Sequence, residues 1–158
     1  MGTLPQLLES DIAALDAALR DFLERSEATT ALIIDKGGFL LTQAGDAQQF
    51  DTTTISALAS GAYLANQTIA NLVNEENFDS VYQQGEKLSM FAVNVDEHCL
   101  LVVIFKSEVG VGLVKYCAIA ARERIAAQLL TARERDPDAG LDLSVLNVAD
   151  TSGFFKRK

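Results

Sequence analysis

Hydrophobic and polar positions along the chain predict three helices and five strands. Apolar residues recur at helical spacing over 4–25 and over 113–133, with polar residues on the opposite side. This pattern is typical of amphipathic helices that cover a core. We expect Pro5 in the first turn of the first helix, where the N–H that proline lacks would have no helical partner.

The strand-like runs are short and rich in β-branched and aromatic residues. The first two, 29–34 and 39–42, predict a hairpin, with a positive φ in its turn at Gly37 or Gly38. Three further runs cover 78–83, 87–95 and 98–105. The last of them contains LLVVIF, which is continuously apolar, as expected of a central strand buried on both faces.

The stretch 52–74 predicts a helix with no charged residue, capped by Asp51 or Thr52. One face carries the larger apolar side chains and is expected to cover the sheet: Ile55, Leu58, Ala59, Ala62, Ile69, Leu72 and Val73. Elsewhere on the helix, Ala57 and Gly61 lie one turn apart and would let a second backbone come close.

The missing charge is the most informative feature of this helix. An exposed helix in a chain with 22% charged residues should carry several of them. Their absence indicates that more than one face is covered, and depletion of charge is typical of an interface core. We therefore expect contact with a partner or with a second copy. The alternative is burial of the whole helix inside its own chain.

Composition and charge exclude several classes of protein. The chain has 158 residues, 49% of them hydrophobic, which suffices for one core and argues against disorder. Its net charge of −9 argues against binding to nucleic acid or to an anionic membrane. The first residues lack the cationic start of a signal peptide, so we expect a cytoplasmic protein.

Catalytic and cofactor sites are not predicted. Two cysteines and one histidine are too few for a disulfide framework or a structural zinc site. His98 and Cys99 are neighbours whose side chains should point to opposite faces of a strand, so they do not predict a dyad. The pairs Glu75-Glu76 and Asp96-Glu97 lie at the ends of elements, where solvated charge is ordinary. We expect no catalytic residue, metal or cofactor.

Composition changes near the carboxyl end of the chain. We predict a domain over 1–133 and a flexible tail over 134–158. The tail contains one short apolar segment that could dock on this domain or on a partner, formed by Leu141, Leu143, Val145, Leu146 and Val148.

Four segments resemble the Roadblock/dynein-light-chain family, and most closely its bacterial MglB-type regulators of small Ras-like GTPases. They are TALIIDKGGFLLTQAG, ALASGAYLANQTIANLV, FDSVYQQGEKLSMFAVNV and LLVVIFKSEVGVGLVKY. The similarity extends over about 4–133. It implies an α+β fold of order α-ββ-α-βββ-α: a profilin-like, five-stranded antiparallel sheet with the first and last helices on one face and the middle helix on the other.

The resemblance also implies a homodimer through the middle helix and the third strand. The residues expected at this interface are Thr53, Ser56, Ala57, Ser60, Gly61, Leu64, Gln67, Thr68, Asn71, Val81 and Gln83. Such a dimer is expected to bind a Ras-like small GTPase and to stimulate GTP hydrolysis by reshaping the GTPase's switch region. No arginine finger is implied, in keeping with a middle helix that has no arginine.

Two alternatives remain at this point. A scaffold or adaptor subunit of a motor or signalling complex would bind a GTPase without affecting hydrolysis. A small-ligand sensor on a related fold would need a sizeable apolar pocket between the sheet and a helix. Neither nucleic acid nor insertion into a membrane is expected.

Overall fold

The computed structural model describes residues 4–135 and confirms the predicted order of elements. The elements are α1 (Glu9–Ser26), β1 (Thr30–Asp35), β2 (Leu40–Gly45), a 3₁₀ turn (Ala47–Gln49), α2 (Thr52–Leu72), β3 (Ser80–Gln83), β4 (Leu88–Asn94), β5 (Cys99–Lys106) and α3 (Val111–Glu134). Within this part of the chain, no helix combines the length and the apolar character needed to cross a membrane.

The five strands form one antiparallel sheet of order β2-β1-β5-β4-β3. β5 lies at its centre, and every residue from Cys99 to Phe105 is buried, as its continuous apolar run predicts. β2 and β3 are the two edges. The sheet therefore has its hydrophobic centre on β1 and β5, and β3 is the edge next to β4.

Helices cover both faces of the sheet, which confirms the predicted layers. α1 and α3 pack against one another and share a core with one face, built around Leu19, Phe22, Leu101 and Phe105. α2 packs alone on the opposite face, where Tyr63 lies among a smaller set of buried aliphatic residues.

The first helix begins later than its apolar pattern predicts. The Asp11 carboxylate accepts a hydrogen bond from the Leu8 backbone N–H at 2.8 Å, which caps the helix there. The prediction that Pro5 lies in the first turn is therefore wrong. Leu4 and Leu7 still pack against the core, so they recur at helical spacing without being helical.

The β1–β2 turn lies directly against α2. Gly38 has φ +100°, which confirms the predicted positive φ and assigns it to the second glycine. A Cβ atom at Gly38 would lie 3.2 Å from the Cα atom of Ala57, so the turn approaches the helix backbone closely. The Asp35 carboxylate closes the turn by accepting from the Phe39 N–H at 2.9 Å.

An ion pair joins the end of α3 to the start of α1. The Arg135 guanidinium donates to both carboxylate oxygens of Asp11, at 2.7 and 2.8 Å, and Gln128 donates to the same carboxylate. Asp11 is fully buried. The predicted tail begins at Glu134, the last residue of α3, and from residue 136 onward it lies outside the described residues.

Candidate partner interface on the middle helix

The start of α2 is fixed by Asp51. Its carboxylate accepts from the Thr54 backbone N–H at 3.1 Å and from the Thr54 hydroxyl at 2.7 Å, which confirms one of the two predicted caps. These hydrogen bonds lower the pKa of the Asp51 carboxyl. The helix then continues for 21 residues without a charged side chain.

The buried face of α2 is made of small and hydroxyl-bearing residues. Ser56, Ala59, Ser60 and Tyr63 are buried against the sheet. The Ser60 hydroxyl donates to the Lys36 carbonyl, and the Ser56 hydroxyl donates to the Thr52 carbonyl at 2.7 Å. Both hydroxyl groups therefore have hydrogen-bond acceptors within the chain. The small size of the two serines lets the helix lie close to the β1–β2 turn.

The predicted sheet-covering face is therefore wrong in part. Leu58, Ile69, Leu72 and Val73 are 68%, 48%, 78% and 57% exposed, although Ala59 is buried and Ile55 packs against the sheet as expected. The helix lies about a quarter turn away from the predicted orientation. The residues that point inward are the small Ser56, Ala59 and Ser60 together with Tyr63, and the β1–β2 turn approaches the helix backbone closely at Gly38.

The predicted interface residues on α2 divide into three groups. The exposed ones form a continuous side of the helix: Thr53, Ala57, Gly61, Leu64, Thr68 and Asn71. Gln67 is half-buried and donates to the Phe78 carbonyl at 3.1 Å. The prediction that Ser56 and Ser60 lie at the interface is wrong, because they face their own sheet and are 0% and 4% exposed.

We call the exposed side of this helix the α2 outer face. It comprises Thr53, Ala57, Leu58, Gly61, Leu64, Thr68, Ile69, Asn71 and Leu72. A Cβ atom at Gly61 would meet nothing within 4 Å, so a neighbouring backbone has room to approach there. Exposed leucines on an uncharged helix form an apolar patch of the kind that marks interaction sites. Sequence reasoning missed Leu58, Ile69 and Leu72, which it assigned to the sheet.

The edge strand β3 extends this surface. Val81 pairs with Ala92 and Gln83 pairs with Met90, and residues opposite one another on neighbouring strands share a face. Because Ala92 and Met90 pack under α2, both β3 residues lie on the α2 side of the sheet. Among residues 4–135, β3 pairs only with β4, so its other edge offers free backbone groups.

Lys36 places a cation close to α2, and its own chain holds it there. The Lys36 ammonium donates to the Asp96 carbonyl at 2.7 Å and lies 5.3 Å from the centroid of the Tyr63 ring. Burial lowers the pKa of this lysine. The Tyr63 hydroxyl in turn donates to Asn94 at 3.2 Å. Lys36 therefore anchors the β1–β2 turn to the β4–β5 turn.

The layer between α2 and the sheet is packed with side chains. Leu32, Ile34, Leu100 and Val102 fill it together with Tyr63. An open groove of about 370 Å³ lies beside the first turns of α2, lined by Phe50, Ile55, Gln83, Gln84, Gly85, Leu88, Ser89, Met90 and Ile104. A packed layer with an open groove at its rim does not resemble the enclosed pocket that a small-ligand sensor would need.

The residues considered for catalysis make contacts that stabilise the core or a turn. Cys99 is buried in the core under α1 and α3, and burial raises the pKa of its thiol to about 12. His98 lies 3.5 Å from the Glu97 carboxylate. Asp96 accepts from the backbone N–H groups of His98 and Cys99 and so shapes the β4–β5 turn. Residues 4–135 contain no cluster of His, Cys, Asp and Glu suited to a metal ion.

All six arginines of residues 4–135 lie in α1 or α3, or directly after α3. Each forms an ion pair within the chain, for example Arg122 with Asp79 at 2.6 Å and Arg124 with Asp21 at 3.8 Å. α1 and α3 cover the sheet face opposite α2. The α2 outer face therefore lies on the far side of the sheet from every one of these arginines.

Comparison with known proteins assigns the chain to a family. A family model described as the Roadblock/LC7 domain matches residues 15–105, more than half of the chain. The chain belongs to the Roadblock/LC7 family. The match includes α2 and β3 and ends within β5.

Solved MglB structures are similar over most of this Roadblock/LC7 chain. One from Thermus thermophilus, described as gliding protein MglB, and MglB from Myxococcus xanthus are each 26% identical, with a TM-score of 0.76. The alignments cover 83% of this chain and 99% of each relative. Another structure, described as MglB with a tetrameric arrangement, is also 26% identical, covers 84% of this chain and 99% of its own, and has a TM-score of 0.77.

Solved structures of lower sequence identity share only the fold with this chain. Profilin II from Acanthamoeba castellanii is 13% identical, with a TM-score of 0.52, and the alignment covers 72% of this chain and 98% of the profilin. The profilin-like layers predicted for the Roadblock/LC7 chain are thus confirmed. No curated protein sequence matches it significantly.

Proposed function

We propose that this protein is a non-enzymatic, homodimeric regulator that binds a Ras-like small GTPase and stimulates its GTP hydrolysis. The α2 outer face carries the proposal, since it combines exposed leucines with a complete lack of charge. Membership of the Roadblock/LC7 family and the similarity to MglB structures support it.

The proposed dimer pairs two copies through α2 and β3. Leu64 and Gly61 offer an apolar side chain next to open space, which would allow two α2 helices to approach closely. The free edge of β3 can pair with a second β3 strand, so that two sheets continue into one. A homodimer of this kind has a two-fold axis, and each residue of the patch meets the same patch of the other copy.

The dimer would act on the GTPase by changing the conformation of its switch region. Residues 4–135 offer no arginine for insertion near α2, because the arginines among them are ion-paired on the other side of the sheet. Stimulation would therefore depend on how the partner's own catalytic residues are positioned. The protein itself needs no active site for this role.

The direct test is GTP hydrolysis by a Ras-like GTPase from the same organism, with and without the purified protein. A higher single-turnover rate supports the proposal, as does tighter binding to the GTP-bound than to the GDP-bound form. Binding that ignores the nucleotide, with an unchanged rate, would favour a scaffold instead. Absence of binding in both nucleotide states would contradict both functions.

A pair of variants locates the contact. Leu58→Asp places a charge on the α2 outer face at a side chain that is 68% exposed, so the fold should tolerate it. Tyr116→Asp is the control, because Tyr116 is 75% exposed on α3, which covers the opposite face of the sheet. We expect the first variant to lose dimerisation or GTPase binding and the second to retain both.

A further inference from the structure

The backbone groups of the edge strand β3 alternate in direction. The Asn94 N–H donates to the Asp79 carbonyl at 2.9 Å, so these two residues form a hydrogen-bonded pair between β4 and the start of β3. Hydrogen-bonded and non-hydrogen-bonded pairs alternate along an antiparallel ladder, so Val81 also bonds to β4. The N–H and C=O groups of Ser80 and Tyr82 therefore point away from β4, towards the free edge.

The side chains of β3 alternate between the two faces of the sheet. Val81 pairs with Ala92 on the α2 side. Tyr82 pairs with Phe91, and its ring stacks on Phe105 at a centroid distance of 6.2 Å. Both phenylalanines belong to the core under α1 and α3. Tyr82 therefore lies on the opposite face from Val81, and the same face carries the residue two positions before it.

This edge lacks the features that normally keep two edge strands apart. Exposed edges are usually protected by charged side chains, by proline or by a bulge. Residues 80–85, SVYQQG, contain no charged residue and no proline, and β3 pairs with β4 without a break over all four of its residues. Two copies of a chain with a net charge of −9 would therefore bring no like charges together along this strand. The other edge strand, β2, has an irregular register opposite Ile33 and Ile34.

A two-fold axis restricts how two β3 strands can pair. The restriction rests on the dimer of the proposed function, in which both α2 helices lie on the same side of one continuous sheet. Residues opposite one another on antiparallel strands share a face, so Val81 cannot lie opposite Tyr82 of a second copy. The axis must therefore pass through a residue of β3 rather than between two residues. The central candidates are Val81 and Tyr82.

We propose that the axis passes through Val81. Ser80 of each copy then lies opposite Tyr82 of the other, and the outward N–H and C=O groups of both residues form four hydrogen bonds. An axis through Tyr82 would give two hydrogen bonds between the two Tyr82 residues and would place Ser80 opposite Gln84, beyond the end of β3. Only the Val81 register pairs every outward backbone group within β3.

The same register makes the β3 contact continuous with the α2 outer face. α2 runs along β3 from Ile55, which lines the open groove at the end of the strand, to Gln67, which donates to the Phe78 carbonyl before the strand begins. The axis exchanges the two ends of β3. The second half of one α2, with exposed Ile69 and Leu72, therefore lies at the same end of the joined strands as the apolar groove of the other copy. This continuity favours a second copy of the chain over an unrelated strand as the occupant of the edge.

Disulfide trapping distinguishes the registers, because only a residue on the axis meets its own counterpart. All variants carry Cys117→Ser, so that buried Cys99 is the one native thiol left. The Cα atoms of two Val81 residues would be about 4.5 Å apart, within disulfide range, whereas those of two Tyr82 residues would be about 7–8 Å apart, beyond it. Mild oxidation of Val81→Cys should therefore give a covalent dimer as the main product, and Tyr82→Cys should remain uncrosslinked.

Gln43→Cys is the control for random collision, since Gln43 is exposed on the other edge strand and should not cross-link. A covalent dimer from Tyr82→Cys but not from Val81→Cys would overturn the register and leave the dimer of the proposed function in place. The register is also wrong if neither variant cross-links although light scattering shows a dimer, or if Gln43→Cys cross-links as fully as Val81→Cys. A monomeric wild type in light scattering would instead contradict the dimer of the proposed function itself.

Discussion

Asp11 illustrates how one side chain can tie the start of α1 to the end of α3. Its buried carboxylate caps α1, accepts from Gln128 and binds the Arg135 guanidinium. The hydrogen bonds from Arg135 hold the pKa of this carboxyl at about 2, against the desolvation that would raise it. Sequence patterns did not find this pairing, because 124 residues separate its members and neither lies in a motif.

Replacing Asp11 by Asn should destabilise the fold at neutral pH by about 1–3 kcal/mol, because Arg135 loses its charged partner. A carboxyl with a lowered pKa stabilises the fold above its unfolded pKa, and that contribution disappears as the pH falls from about 4 towards 2. Urea unfolding at pH 7 and pH 3 checks both statements. Asp16→Asn, which breaks an exposed pair with Arg20, is the control. Equal acid sensitivity of wild type and Asp11→Asn would contradict this role.

The two cysteines should differ sharply in reactivity. The thiolate is the nucleophile, and Cys99 is fully buried with a pKa near 12, so its thiol stays protonated at neutral pH. Cys117 is partly exposed between α1 and α3. A disulfide reagent added to the folded protein should therefore label Cys117 alone. Cys117→Ser should abolish the labelling and Cys99→Ser should preserve it. Rapid labelling of Cys117→Ser would disprove the burial of Cys99.

At the scale of the element, α2 departs from the usual rule that the most apolar side of a helix faces the core. Periodicity correctly predicts where this helix begins and that it packs on the sheet. It assigns Leu58 and Leu72 to the inside, because it reads hydrophobicity and ignores the space available. The inward side instead carries Ser56, Ala59 and Ser60, and it lies close to Gly38 in the turn of another element, a contact that periodicity does not contain. The missing charge was the signal that a second side of α2 is apolar.

Gly61→Glu tests whether the α2 outer face is a dimer interface. A Cβ atom at Gly61 would meet nothing within 4 Å, and replacing a helical glycine should stabilise the isolated protomer by up to about 1 kcal/mol. In a dimer, the same change buries an unpaired charge and should cost several kcal/mol of association. Gly112→Glu, at an equally open glycine in α3, is the matched control. Light scattering should give a monomer for the first variant and a dimer for the second. A dimeric Gly61→Glu would remove α2 from the interface.

At the scale of the whole molecule, the fold could be predicted from sequence almost completely and the surface only in part. Hydrophobic periodicity gives the order of the elements, and LLVVIF identifies the central strand, since only a strand buried on both faces is apolar throughout. The segment resemblance gives the layers. The exposure of Tyr116, Ile119 and Leu130 on α3 was not predicted, because the burial of an apolar helix position depends on which elements pack beside it.

The distribution of arginines makes the proposed activity testable without knowledge of the complex. An arginine finger contributes about 10³–10⁵ to the rate of GTP hydrolysis. Single replacements of Arg20, Arg25, Arg122 and Arg124 by Ala should instead change the stimulated rate by less than about tenfold, an effect of about 1.4 kcal/mol or less. Stopped-flow phosphate release measures the rate. Loss of stimulation on replacing one of them would identify a finger and contradict activation through the switch region alone.

The uncharged α2 also has a consequence for how fast two copies could meet. Oppositely charged patches normally steer proteins together, and added salt then slows their association. Here the contacting patches would carry no charge, while each copy as a whole has a net charge of −9 and repels the other. The rate at which two labelled monomers associate should therefore increase as salt is added. Once formed, such pairs would be kept together by uncharged contacts, namely packing of α2 and backbone hydrogen bonds between the β3 edges, so their lifetime should hardly change with ionic strength.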